Sequence, residues 1–223
     1  MDALFGFTGA DFVLIAGDAV QLRSIFKLKD NLDKLVQLDE HKILACAGPN
    51  GDVSAFSDFI LRNMELERFR NHGQRMSTHA TANFTRHALA QALRRSPYQV
   101  NMLIGGYDKN AGPSLYFMDY LASMQKVTRG AQGYIAYFVN GLLDRLWKEG
   151  MTQEEGLEVA RKCVHEIKKR FLVDLVRFQV KIITADGIKS LELESEEIEE
   201  LSSAQKLPTG KEQAEGAVAM QED

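Results

Sequence analysis

With 223 residues, 45% of them hydrophobic and 26% charged, the chain is long enough for one ordinary domain with a real core. Lys and Arg number 27 against 31 Asp and Glu, a formal net charge of -4 that gives no general attraction to nucleic acid or to an acidic membrane surface. No stretch reaches the roughly 18 consecutive apolar residues of a membrane span, and no charged start with an apolar run after it suggests a secretory leader. Cys46 and Cys163 both lie in apolar stretches, so buried small hydrophobes in a reducing intracellular compartment are expected, with no disulfide framework.

The first fifty residues are short apolar runs separated by turn-formers. The chain opens as a strand, a tight turn and a second strand over Leu4 to Asp18; Phe12 to Ala16 in that second strand, Leu35 to Leu38 and Ile43 to Ala47 read as strands, with Gly9, Gly17, Asp39 and Gly48-Pro49-Asn50-Gly51 between them. From Val53 to Arg70 the period changes: Phe56, Ile60 and Met64 recur every four residues, predicting an amphipathic helix with Asp52 as its N-cap. A second helix is predicted from Ser77 or Thr78 to before Pro97, with a buried stripe of Phe84, Ala88, Leu89, Ala92 and Leu93 and with Arg86, Arg94 and Arg95 solvated. Val100 to Tyr107 and Ser114 to Met118 read as a hairpin closed by Asp108 to Pro113. Gly130 and Gly133 flank the entry to a very apolar helix, Tyr134 to Leu146, expected to be covered on most sides. The last helix opens on a capping box, Thr152 and Glu155, carries the stripe Leu157, Ala160, Val164, Ile167 and Phe171, and ends in Lys168-Lys169-Arg170. Leu175 to Thr184 and Ile188 to Leu193 form a closing hairpin through Asp186-Gly187.

Strands and helices in separate blocks argue for an α+β fold, a four-layer αββα sandwich of two stacked antiparallel sheets, rather than a parallel βαβ fold. Residues 1–193 form that domain. From 194 to 223 the composition turns acidic, with Glu194, Glu196, Glu197, Glu199 and Glu200 close together, and a solvated tail is expected. The histidines His41, His72, His79, His87 and His165 show no metal spacing.

Several stretches together resemble the beta subunits of the 20S proteasome, and within them a non-catalytic member of the ring. They are Asn83-Phe84-Thr85-Arg86, Pro97-Tyr98-Gln99-Val100-Asn101, Gly106-Tyr107-Asp108, Gly112-Pro113-Ser114-Leu115-Tyr116-Phe117-Met118-Asp119-Tyr120 and Leu143-Asp144-Arg145, and the likeness covers about residues 1 to 190. Active members of that family use an N-terminal Thr whose hydroxyl attacks a peptide carbonyl and whose own α-amine accepts the proton. By the same resemblance Asp18 and Lys34 fall at the family's ion pair, and Gly48 at the glycine whose N–H holds the developing oxyanion. The nucleophile position is Asp2, which has no hydroxyl; Gly133, Phe171 and Asp174 stand where a Ser, an Asp and a second Ser are expected, and no residues that serve as a propeptide are evident before the first strand.

The resemblance therefore implies a catalytically silent member of a threonine peptidase family, without cofactor or metal. It implies a structural subunit needed to assemble the chamber that degrades unfolded or ubiquitin-tagged proteins. Expected partners are other beta subunits of the same ring, the opposite beta ring and the adjacent alpha ring, with no nucleic acid and no membrane, in cytoplasm and nucleus. Tyr116, Tyr120, Met124, Tyr137 and Trp147 are the candidate interface residues. One alternative is peptidase activity of the chain's own, with Cys46 or a serine as substitute nucleophile. The other is a regulatory ligand cleft at a subunit interface, left vacant between Asp18, Lys34, Gly48 and the segment Gln21 to Leu28.

Overall fold

A computed structural model describes residues 2–23, 26–171 and 177–194. Three apolar layers set its architecture, and they follow from strands that are apolar on both faces. In β1 (Ala3–Thr8) and β2 (Val13–Asp18), Phe5, Phe7, Leu14 and Ala16 point to one side, while Leu4, Val13 and Ile15 point to the other. β6 (Lys42–Ala47) repeats the pattern, with Leu44 and Cys46 opposed to Ile43, Ala45 and Ala47. Period-two alternation between two apolar surroundings requires a strand covered on both faces.

The first sheet adds β11 (Arg177–Thr184), β12 (Gly187–Glu194) and β10 (Arg129–Gly133), in the order β10-β1-β2-β11-β12. The second joins β5 (Leu35–Asp39), β6, β7 (Asn101–Asp108), β8 (Gly112–Met118) and β9 (Met124–Val127) in chain order. Every pairing within them is antiparallel. The helices α3 (Ala136–Leu146) and α4 (Gln153–Arg170) cover the first sheet, and α1 (Asn50–Arg70) and α2 (Thr78–Ala92) the second. The expected αββα sandwich is what forms. Leu4, Val13, Ile15, Leu35, Ile43, Leu103, Leu115 and Ile183 weld the sheets together in the middle.

The helix starts divide by chemistry. Thr152 accepts from the Glu155 N–H while the Glu155 carboxylate accepts from the Thr152 N–H, the expected box. Ser77 caps α2 by accepting from the Ala80 N–H. Asp52 is not the cap of α1: the helix begins at Asn50 after Pro49, and the Asp52 carboxylate instead accepts from the Gln99 N–H at 3.0 Å. A carboxylate in a first turn still suits the positive helix end, so composition alone did not separate the two roles.

Phe56, Ile60 and Met64 are buried on α1 as their spacing requires. On α2 the buried face is Thr78, Thr81, Ala82, Thr85 and Leu89, with Phe84 and Ala88 only partly covered. Thr85 makes its hydroxyl compatible with burial by donating to the Thr81 carbonyl one turn back, at 2.8 Å. Arg86, Arg94 and Arg95 are exposed, as expected.

Four strands escaped the sequence pattern: β3 (Gln21–Arg23) with β4 (Phe26–Lys29), and β9 with β10. The last two are edge strands rich in polar residues and glycine, which gives them no apolar run. Gln132 of β10 is buried and donates to the Met118 carbonyl at 3.2 Å, tying one sheet to the other. The closing hairpin matches its sequence signals from Arg177 on. Residues 175 and 176 of the expected strand and the tail from 195 lie outside the described residues.

α3 departs from expectation in a way that matters for function. Only Val139 and Leu143 are buried on it, and Tyr137 is 91% exposed and the preceding Tyr134 61%. Ala136, Phe138, Leu142 and Leu146 pack partly buried against the first core, so the apolar area left in water is that of Tyr134 and Tyr137. Among the described residues, no helix is long and apolar enough to cross a membrane.

Candidate functional site

The residues singled out by sequence converge at one end of the sandwich, where the two sheets meet. Asp2 precedes β1 and Asp18 ends β2 in the first sheet; Lys34 precedes β5 and Gly48 follows β6 in the second. The Lys34 ammonium donates to Asp18 Oδ2 at 2.7 Å and to Asp2 Oδ1 at 2.7 Å. Asp2 uses its other oxygen, Oδ2, to accept from the Gly48 N–H at 2.9 Å. One carboxylate thus spans the cation and the backbone donor, and both of these belong to the opposite sheet.

The Lys34 and Asp18 side chains are 4% and 0% exposed, and Asp2 keeps 14%. Burial raises the Asp18 carboxyl above its ordinary range, against the pull of the Lys34 charge and of the Ala3 N–H, which donates to Oδ1 at 2.7 Å. The Val20 N–H adds a longer contact to Oδ2 at 3.3 Å. A cation held between two carboxylates in so little water is costly to break from one side.

Lys34 is itself aimed by its neighbours in the chain. The Asp33 carboxylate accepts from the Leu35 N–H at 2.8 Å and from the Lys181 ammonium at 2.7 Å, and Lys181 also donates to the Leu35 carbonyl at 2.5 Å. Lys181, from β11 of the first sheet, therefore clamps the residues on both sides of Lys34. Sequence reasoning missed this clamp, although a lysine between Val180 and Ile182 in a strand buried on both faces was the available signal: such a charge requires a partner.

Two glycines are fixed by the same geometry. A side chain at Gly48 would collide with the Gln99 carbonyl oxygen. At Gly133, with φ of 81°, a Cβ would run into the Asp2 carbonyl across the β1–β10 pairing. Gly133 is the position where the family resemblance implies a supporting Ser, and the path of Asp2 leaves no room for one. Phe171 packs against the first sheet's core, and Asp174 lies outside the described residues.

The cleft expected to be vacant is therefore not vacant. The side chain of Asp2 occupies the space between Lys34 and Gly48 and takes their donors. Sequence reading registered Asp2 only as a missing nucleophile; its role as a ligand needed the pairing of β1 with β2 and the approach of the second sheet. Cys46, weighed as a substitute nucleophile, is fully buried on β6, and burial pushes its thiol up to about 12. Cys163 is buried on α4 and its thiol is likewise pushed up to about 12. Neither is in a disulfide.

Of the candidate interface residues, Tyr137 and Tyr120 are exposed. Tyr116 is core, its hydroxyl 3.2 Å from His79 Nδ1. Trp147 is half-buried, donating to the Thr8 carbonyl at 2.8 Å beneath the Arg129 guanidinium, and Met124 packs partly against the second core. Phe69, Phe26 and Leu28 are exposed apolar groups that the sequence reading did not single out. Among the described residues no three His, Cys, Asp or Glu side chains come together as a metal site.

The chain that forms this two-sheet αββα sandwich, with an acid and a lysine paired at its seam, has recognisable relatives among known proteins. Residues 2–183 match the proteasome subunit family, and the chain belongs to that family. It is 43% identical over 189 residues to proteasome subunit beta type-2-B of Arabidopsis thaliana, covering 85% of this chain and 94% of that protein. It is 40% identical over 201 residues to proteasome subunit beta type-2 of Trypanosoma brucei brucei, covering 86% and 98%. With proteasome subunit beta type-4 of Saccharomyces cerevisiae the identity is 39% over 194 residues, covering 86% and 98%.

Proposed function

We propose that this chain is a catalytically silent beta subunit of the 20S proteasome core, a structural member of the ring that encloses the proteolytic chamber. The observation that carries the reading is the Asp2 carboxylate, bonded at 2.7 Å to Lys34 and at 2.9 Å to the Gly48 N–H. Acyl transfer at this frame needs a nucleophile beside the cation and a free N–H for the developing oxyanion. Asp2 supplies no hydroxyl or thiol and already uses that N–H. Its negative charge also opposes the build-up of an oxyanion in the same place. Asp18, Lys34 and Gly48 are then a retained frame whose work is structural.

The partners are other beta subunits in the same ring, the opposite beta ring and the adjacent alpha ring, in cytoplasm and nucleus. What supports this is family membership together with the exposed aromatic and apolar groups on α1, α3 and the β3–β4 hairpin: Phe69, Tyr137, Phe26 and Leu28. In such an assembly the chain contributes wall rather than chemistry to the degradation of unfolded or ubiquitin-tagged proteins.

The test is to treat the assembled particle with a covalent inhibitor directed at N-terminal nucleophiles and record the intact mass of each subunit. The expected result is adducts on catalytic partners and none on this chain. An adduct on this chain would give it an activity of its own.

A further inference from the structure

We infer that the Lys34 ammonium and the Gly48 N–H form a carboxylate-binding site whose resident ligand is the chain's own Asp2. The inference deepens the reading of the same frame as silent and rests on it, since Asp2 must stay in place as a ligand.

Three observations carry it. The two donors are matched to a single carboxylate, one to each oxygen: Nζ to Oδ1 at 2.7 Å and the backbone N to Oδ2 at 2.9 Å. Each donor is fixed independently of Asp2. Lys34 is held by Asp18 and by the Lys181 clamp on its flanking residues, and Gly48 by its place at the end of the β6–β7 ladder, where Ala47 pairs with Asn101. Finally, the ligand arrives from the other sheet, on a residue bonded to the Lys34 and Gly48 side only through that carboxylate among its side-chain hydrogen bonds. A charge-assisted pair of this kind depends on the ion and its two donors more than on the single methylene that joins it to the backbone.

Truncating Asp2 to Ala leaves both donors in position and removes their acceptor. The site then takes a free monocarboxylate no larger than the group removed, formate. Asp2→Asn keeps the shape and fills the site with a neutral group, so it leaves no room for the free anion.

The experiment is thermal unfolding of the full chain and its Asp2→Ala and Asp2→Asn variants, in sodium formate against sodium chloride at equal ionic strength and pH. In chloride, Asp2→Ala is expected to melt roughly 3–8 °C below the parent, as for loss of charge-assisted hydrogen bonds in a protein of this size. At about 100 mM formate, mass action returns about half of that drop for Asp2→Ala, while the parent and Asp2→Asn move by less than about 1 °C. Equal shifts of all three proteins in formate, or none in Asp2→Ala, overturn the site. Should Asp2→Ala fail to fold in chloride, folding in formate supports the site, and failure in both salts while Asp2→Asn folds overturns it. The readout is independent of peptidase chemistry. An unresponsive Asp2→Ala with no inhibitor adduct on the parent rejects the carboxylate site alone; an adduct rejects the silent reading whatever formate does.

Discussion

The seam around Lys34 and the outer face of α3 are opposite solutions to the same problem. At the seam, charged groups taken out of water find partners within the chain: Lys34 has two carboxylates, Asp2 has a cation and an N–H, and Asp18 has a cation and two N–H groups. On α3, by contrast, an apolar helix buries only Val139 and Leu143, with Tyr137 turned almost fully outward. α4 shows that this is not a matter of helix chemistry in general: Ala160, Val164 and Ile167 of its expected stripe are buried, Val159 and Cys163 join them, and Leu157 and Phe171 are partly covered. At the seam the Gly48 N–H and two of the three Lys34 ammonium hydrogens are already taken by the chain's own carboxylates. On the α3 side, Tyr134 and Tyr137 leave aromatic area in water, which the proposed assembly would cover.

The largest effect should come from the seam. Lys34→Met leaves Asp2 and Asp18 facing each other without their cation, and a loss of about 3–5 kcal/mol is expected in denaturant unfolding of the full chain. A loss below about 1 kcal/mol would mean that the seam does not depend on its cation.

Gly133→Ser is next. It restores the residue that the family resemblance implies, but at φ of 81° and against the Asp2 carbonyl, so a loss of about 1–3 kcal/mol is expected in the same assay. Neutral behaviour would show that Asp2 can move aside.

Acidification sharpens the seam's side of the contrast. Because burial raises the Asp18 carboxyl above its ordinary 3.8, the folded chain binds more protons at this group than the unfolded chain between those two values. Its titration therefore adds stability as pH falls through that window and removes it as pH rises. The stability of the parent relative to Asp18→Asn should grow when pH is lowered from 7 towards 4, measured by urea unfolding at several pH values. A difference that shrinks on acidification would reverse the sign.

The smallest effect on the chain itself should come from the helix face. Tyr137→Ser is expected to change unfolding free energy by less than about 0.5 kcal/mol, as surface substitutions do. The same variant should enter the assembled particle poorly in competition with the parent chain, read by subunit mass. Normal incorporation would remove α3 from the list of covered faces.

Much of this contrast is legible in the amino-acid sequence. Short apolar runs bounded by turn-formers before Gly48, the four-residue period of Phe56, Ile60 and Met64 after it, and the separation of strands and helices into blocks reveal stacked sheets with outer helices. Asp18, Lys34 and Gly48 were placed together by resemblance, and the fold brings them together. What stayed hidden was long-range and small in sequence. Asp2 looks like a defect until β1 is laid beside β2 and faced with the second sheet. The Lys181 clamp joins residues 148 positions apart. β9 and β10 carry polar and glycine residues because they are edges, so their pairing, not their pattern, makes them strands. For α3, composition gives an apolar helix but not that Tyr137 faces away from the core.

The most direct measurement is a high-resolution density map of the assembled particle at the start of this subunit's first strand. The account requires Asp2 Oδ1 within hydrogen-bond distance of the Lys34 ammonium and Oδ2 within the same reach of the Gly48 N–H. An Asp2 side chain turned outward, with water or peptide seated between Lys34 and Gly48, would contradict it and reopen the site to chemistry.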